Sequence, residues 1–95
     1  MDITIDFETR SLLDLEEVGL YRYAEHPSTD VLCAAWMFDE GPEVDEWDMF
    51  GVPGPILFAV RSHYVIFHAF NAQFEMEIWK KVLTPRYGWP ECHPI

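Results

Sequence analysis

The stretch Ile3-Thr4-Ile5-Asp6-Phe7-Glu8-Thr9 constrains this chain more than any other. Its β-branched and aromatic residues favour an extended strand. Side chains alternate along a strand, so Asp6 and Glu8 share one face while Ile5, Phe7 and Thr9 share the other. Two carboxylates at i and i+2 are costly to bury without a partner. A solvated sheet face resolves that cost, with Arg10 or Arg22 as ion-pair partners, and so does a bound cation. Hard divalent ions such as Mg²⁺ and Mn²⁺ prefer oxygen ligands, and pairs of them serve phosphodiester chemistry. For an isolated Asp-x-Glu the wet face is the stronger reading, so the rest of the chain has to decide.

Hydrophobic patterning predicts a mixed order of elements, β-α-β-β-α-β-α. Residues 1–9 form the first strand. Ser11 caps a short helical turn over 12–18, with Asp14, Glu16 and Glu17 near its start and Gly19 at its end. Residues 20–29 read as irregular, with Tyr21 and Tyr23 on one side and Pro27 barring a helix. The apolar run 31–38 suits a central strand buried on both faces. Asp39-Glu40-Gly41-Pro42 is a turn, and 44–50 an antiparallel strand with Trp47 packed inward. Pro55 opens a helix over 56–62, and 64–69 is a further strand. Asn71 caps a helix over 72–83, where Phe74, Ile78 and Val82 recur at four-residue spacing. Pro85, Gly88, Pro90 and Pro94 break the remainder. The expected division is therefore a domain over 1–84 and a tail over 85–95, in the α/β (α+β) class.

The ordered motifs resemble those of a known family. Asp6-Phe7-Glu8-Thr9 is similar to the first motif of DnaQ-like 3′→5′ exonucleases, and Asn71-Ala72-Gln73-Phe74-Glu75 to the second. The flanking text, Val18-Gly19-Leu20-Tyr21-Arg22-Tyr23-Ala24-Glu25-His26-Pro27-Ser28-Thr29 and Val31-Leu32-Cys33-Ala34-Ala35-Trp36, extends the resemblance to the exonuclease region of phage-type family A DNA polymerases. The resemblance implies an RNase H-like mixed sheet and a Mg²⁺ or Mn²⁺ site built by Asp6, Glu8 and Glu75. It also implies substrate contacts from Asn71 and Phe74, and the 3′ end of single-stranded DNA as substrate. Two departures stand out. Phe70 occupies the position where phage relatives commonly place a His directly before the Asn. The family's third motif, a Tyr or His followed by an Asp on a late helix, has no counterpart; Tyr87, Glu91 and His93 are the nearest candidates, in the segment read as tail. The expectation is thus a truncated exonuclease-like domain with little or no activity of its own, whose missing helix is made good either by a compact rearrangement or by a partner that covers the apolar sheet face.

Charge pulls in another direction. The chain carries 17 Asp and Glu against 6 Lys and Arg, a formal charge of −11 over 95 residues. That balance opposes unaided binding to a phosphate backbone, whose affinity rests on cations. It favours either plain solubility or a basic protein surface. The acids Asp39, Glu40, Glu43, Asp45, Glu46 and Asp48 concentrate between two expected strands. Together with the resemblance to phage sequences, this charge gives a second reading: a non-catalytic, phage-type inhibitor or interaction module that imitates phosphate charge in the groove of a host nuclease or defence complex. The solvated hairpin remains the simpler account of that cluster.

The remaining candidates are weaker. Cys33, in an apolar strand, reads as a buried thiol, and Cys92-His93 is too short for a zinc site. Two cysteines make no disulfide framework, so the cytosol is the default compartment, and the resemblance to phage polymerases implies that of a bacterial host. Neither a signal peptide nor a membrane span is legible. His68 is a packed histidine, Trp36 a core residue, and Lys80 and Lys81 suit the end of a helix.

Overall fold

A computed structural model describes residues 1–39, 41, 43–62 and 65–92. Four strands form one mixed sheet: β1 (Asp2–Arg10), β2 (Asp30–Phe38), β3 (Asp45–Glu46) and β4 (Ile66–His68), in the spatial order β3-β2-β1-β4. β1 pairs antiparallel with β2 and parallel with β4, and β3 adds antiparallel to β2. The helices are α1 (Leu15–Val18), α2 (Leu20–Glu25), α3 (Gly54–Arg61), α4 (Ala72–Ile78) and α5 (Thr84–Tyr87), with a π-helical turn, Trp79–Leu83, joining α4 to α5. The expected mixed α/β class holds.

One core sits on one face of this sheet. Ile3, Ile5 and Phe7 of β1 and Val31, Ala34 and Trp36 of β2 meet Ile56 and Ala59 of α3, Ile78 of α4, and Trp79, Val82 and Leu83 of the π-helical turn. The opposite face of β1 and β2 carries Thr4, Asp6, Glu8, Cys33 and Met37, all exposed. This corrects the expectation that 31–38 is buried on both faces. Because every described helix packs on the Ile3-Ile5-Phe7 side, Leu32, Cys33 and Met37 face water, and Cys33 is an exposed rather than a buried thiol.

Several local expectations give way to tertiary packing. Residues 20–25 form α2 rather than an irregular segment; Pro27 lies beyond the helix end at His26 and so does not bar it. In a helix, positions i and i+2 diverge. Tyr23 is accordingly buried while Tyr21 is exposed, so the two do not share a side. Asp14, not Ser11, caps α1, accepting the Glu16 N–H at 3.0 Å. Ser11 Oγ instead accepts from Leu13 N–H at 3.1 Å. The strand expected over 44–50 shrinks to Asp45–Glu46. Trp47 turns into the core, its indole N–H donating to Gly51 O at 3.0 Å, and Met49 takes a left-handed φ of 70° that ends the extended run. Glu40 and Pro42 of the expected turn, Tyr64 at the start of the expected fourth strand, and His93 lie outside the described residues.

The largest correction is at the C-terminal end. Pro85 does not end the helical path. A proline inside an α-helix lacks one N–H and crowds the carbonyl four residues before it. The chain widens to a π turn over Trp79–Leu83, with Thr84 N–H reaching back to Trp79 O, and restarts as α5 with Pro85 in its first turn. Gly88, at φ 75°, then closes the helix, its N–H donating to Thr84 O at 3.2 Å. Lys80 and Lys81 therefore lie within the helical path, and Lys81 Nζ bonds Glu25 at 3.2 Å. Beyond Gly88, Trp89 is fully buried among the rings of Phe7, Trp47 and Trp79 at 5.2–5.9 Å. Trp79 donates its indole N–H to Pro90 O at 2.8 Å. Much of the segment read as tail is thus part of the core.

Candidate functional site

The backbone of β1 explains how the two motifs meet. Successive residues of a strand direct their N–H and C=O groups to opposite neighbours. Asp2 O accepts from Asp39 N–H on the β2 side, and Met1 O accepts from Ile66 N–H on the β4 side. Odd-numbered residues of β1 therefore address β4. That strand is only three residues long and ends with His68 beside Thr4. The Phe7 N–H lies past its end and needs another acceptor.

Glu75 is that acceptor. Asn71 caps α4, its Oδ1 taking the Phe74 N–H at 3.4 Å, and this starts the helix at the point where β4 stops. Glu75 falls in the first turn and its Oε2 accepts the Phe7 N–H at 3.2 Å. Phe7 stands between Asp6 and Glu8 in the strand, so the hydrogen bond brings the second motif to the centre of the first.

Electrostatics registers the convergence. Glu75 is only 4% exposed. Burial first, then the charge of Asp6 and that of Glu8, push its carboxyl up from 4.5 to about 7, against the opposing pull of the Phe7 hydrogen bond. Asp6 and Glu8 are exposed on the open face. Among the described residues, no three His, Cys, Asp or Glu side chains are arranged to hold one metal ion. The reason is directional: Asp6 and Glu8 extend from the open face, whereas Glu75 is turned onto a backbone amide at the strand edge. Oxygen donors of the type a hard cation prefers are thus neighbours without forming a three-ligand cage. Among the described residues, neither Asp6 nor Glu8 is in an ion pair with Arg10 or Arg22; the ion pairs there include Lys81–Glu25 and His68–Asp2 at 3.1 Å, the latter on a histidine that is exposed rather than packed as expected.

The other candidates have definite places. Phe74 is half-buried and its ring lies 6.4 Å from that of Tyr23, joining α4 to α2. Tyr23 in turn shares a 2.8 Å hydrogen bond with Thr9 Oγ1 at the end of β1. Trp36 is buried, as expected. Tyr87 donates to Asp30 Oδ1 at 2.7 Å, and that bond raises its hydroxyl above the ordinary range. Glu91 lines a small cavity with Trp79, Lys80, Thr84 and Cys92.

Some features had no clear signal in the sequence. Glu8 pairs with Cys33 but Thr9 with Val31, so Leu32 is an unpaired extra residue of β2 beside the acids. Such bulges bend and twist a strand and recur next to active sites. Phe70, singled out only as a departure from the family pattern, is fully exposed in the turn between β4 and α4. The partner of Glu75 was also invisible, because a backbone amide carries no sequence signature.

No family model matches the chain, and no solved structure gives a significant match. Over 75 residues, 77% of its length, the chain is 39% identical to the DNA polymerase of Bacillus phage SP02. The matched stretch is 12% of the phage protein, so the chain spans a small part of that relative. It is related to a segment of a phage DNA polymerase. No described helix is long and apolar enough to cross a membrane.

Proposed function

We propose that the chain is an exonuclease-like domain of the DnaQ-like type, derived from a phage-type DNA polymerase, with little or no hydrolytic activity on its own. The observation that carries the reading is the Glu75 carboxylate on the Phe7 N–H, between Asp6 and Glu8. It joins the two motifs on which the resemblance rests, and the similarity to a phage DNA polymerase supports it. In this reading Asp6 and Glu8 offer their exposed oxygens to Mg²⁺ or Mn²⁺, which would supply a polarised water for phosphodiester hydrolysis. Glu75 holds the strand edge in place and limits the charge that collects there. Asn71 sets the start of α4, and the 3′ end of single-stranded DNA is the substrate.

The low activity follows from the donor arrangement. Preorganisation supplies much of an enzyme's rate, and losing one component typically costs orders of magnitude. Incubation of the chain with a 3′-labelled single-stranded oligonucleotide and Mg²⁺ or Mn²⁺ tests this. Little or no shortening is expected. Rapid digestion that disappears in Asp6→Ala would establish a competent nuclease instead.

A second reading has one observation in its favour. Glu43, Asp45, Glu46 and Asp48 are all exposed and make no salt bridge among the described residues. They suit a module that meets a basic surface of a nucleic-acid enzyme. Such association should be fast at low salt and weaken as salt rises. Association with a partner recovered from host lysate, unchanged at every salt concentration when Asp45, Glu46 and Asp48 are neutralised together, would remove that reading.

A further inference from the structure

From the two faces of α3 we infer a docking groove for a segment of a partner protein in which a bulky apolar side chain is flanked by Lys or Arg; this deepens the second reading above and rests on it. A surface helix normally turns a polar face to water, opposite the face it buries. From Gly54 to Val60, α3 carries no polar side chain. Ile56 and Ala59 are buried in the core. Gly54, Pro55 and Phe58, spaced to share another face, instead line an open groove of about 480 Å³ with Met1 and Phe38. Phe58 is 55% exposed and Met1 45%. The groove lies where β1 begins and β2 ends, with Phe38 paired to Ile3, away from Asp6 and Glu8. Its volume is that of a small-ligand pocket, enough for one or two large side chains.

Charge selects the occupant. Asp2 and Asp39 directly follow Met1 and Phe38, and the Asp2 N–H donates to Asp39 Oδ1 at 3.1 Å. Beyond Phe38 the chain turns, Gly41 N–H donating to Phe38 O, and returns antiparallel with Asp45 opposite Trp36. Glu43 and Asp45 therefore stand at the same end of β2 as Asp39, and all three are exposed. His68 meets Asp2 at 3.1 Å, so the charge of the rim rests on those three. No Lys or Arg occurs between Arg22 and Arg61, so that segment supplies no cation to offset them. Such a rim repels nucleic acid and anionic lipid, and the apolar lining offers a phosphate no partner. A second copy brings the same acids and the same charge of −11. A basic segment with an apolar anchor satisfies both parts of the site: the anchor leaves water in the groove, and Lys or Arg meets the rim.

The test is fluorescence anisotropy with two labelled peptides of equal charge, a Leu/Lys peptide of helical periodicity and its Ser/Lys counterpart. The parent should bind the Leu/Lys peptide, less well as salt rises, and the Ser/Lys peptide about tenfold more weakly. Phe58→Asp should bring the Leu/Lys affinity down to the Ser/Lys level, with little change in melting temperature because the ring is already half in water. Phe58→Leu should keep the affinity. Binding by charge alone predicts the reverse: equal affinity for both peptides, and no loss when Phe58→Asp adds an acid. That result overturns the groove and leaves the second reading standing. A preference for the Leu/Lys peptide that survives Phe58→Asp puts the apolar contact elsewhere and also overturns it. If neither peptide binds at low salt, the groove and the second reading both fail.

Discussion

The two faces of β1 belong to one strand and follow opposite rules. On one face, Ile3, Ile5 and Phe7 are buried, and Phe7 meets the edges of Trp79 and Trp89 at 6.2 and 5.9 Å. On the other, Thr4, Asp6 and Glu8 are exposed, with Cys33, Ala35 and Met37 as cross-strand neighbours. The first face holds the molecule together; the second contributes little to stability and carries the candidate chemistry. Glu75 is the exception that joins them, a buried carboxyl at the strand edge in the field of the open-face acids. Stability and function are separated by a single residue of register.

The sharpest way to break this contrast is on the buried face. Trp89 is 1% exposed and packs against three aromatic rings. Trp89→Ala should cost about 3–5 kcal/mol, the usual range for deleting a large buried ring. Its indole N–H has no hydrogen-bond partner among the described residues, so Trp89→Phe should cost much less. Urea unfolding monitored by far-UV circular dichroism checks both. A tail merely resting on the surface would show almost no loss for either.

The residue joining the faces comes next. The Glu75 carboxyl is raised from 4.5 to about 7, so the folded chain holds its proton more tightly than the unfolded chain. Its contribution is full below about 4.5 and falls as pH rises towards 7 and beyond. The upper bound is roughly 3.5 kcal/mol, at about 1.4 kcal/mol per pH unit over the rise from 4.5 to about 7. Glu75→Gln keeps an acceptor for the Phe7 amide and should flatten that decline. Denaturant melts of parent and variant from pH 4 to 8 measure the difference; parallel curves would show that Glu75 titrates normally.

A smaller effect belongs to the start of α4. Asn71→Ala removes the cap and should cost about 1 kcal/mol. It should also loosen the Glu75–Phe7 bond, seen as faster amide exchange at Phe7 by NMR. Smallest is the open face itself. Asp6→Asn should leave the melting temperature essentially unchanged, because the side chain is exposed, yet lower the Glu75 pKa by removing a neighbouring charge. A carboxyl titration by NMR reads that shift. If Glu75 titrates identically in both proteins, the open-face acids do not act on it and the shared site dissolves.

The alternation in residues 3–9 was enough by itself to determine β1 and to place Asp6 and Glu8 together on one face, because strand geometry sends successive side chains to opposite sides. The Asn71 cap and the acid in the following turn were legible for the same local reason: a helix start needs acceptors for its free N–H groups. What the sequence could not determine was any feature that depends on which surface another element covers. The apolar run of β2 reads as buried on both sides, yet the helices occupy one face only, leaving Cys33 and Met37 in water. Prolines made the end of the chain read as tail, while burial of Trp89 and the Trp79–Pro90 bond draw it into the core through a widened helical turn. Glu75 met Phe7 only because β4 is too short to reach that amide. Periodicity is a property of the chain alone; the choice of covered face and the fate of an unpaired backbone group are set by what packs against them.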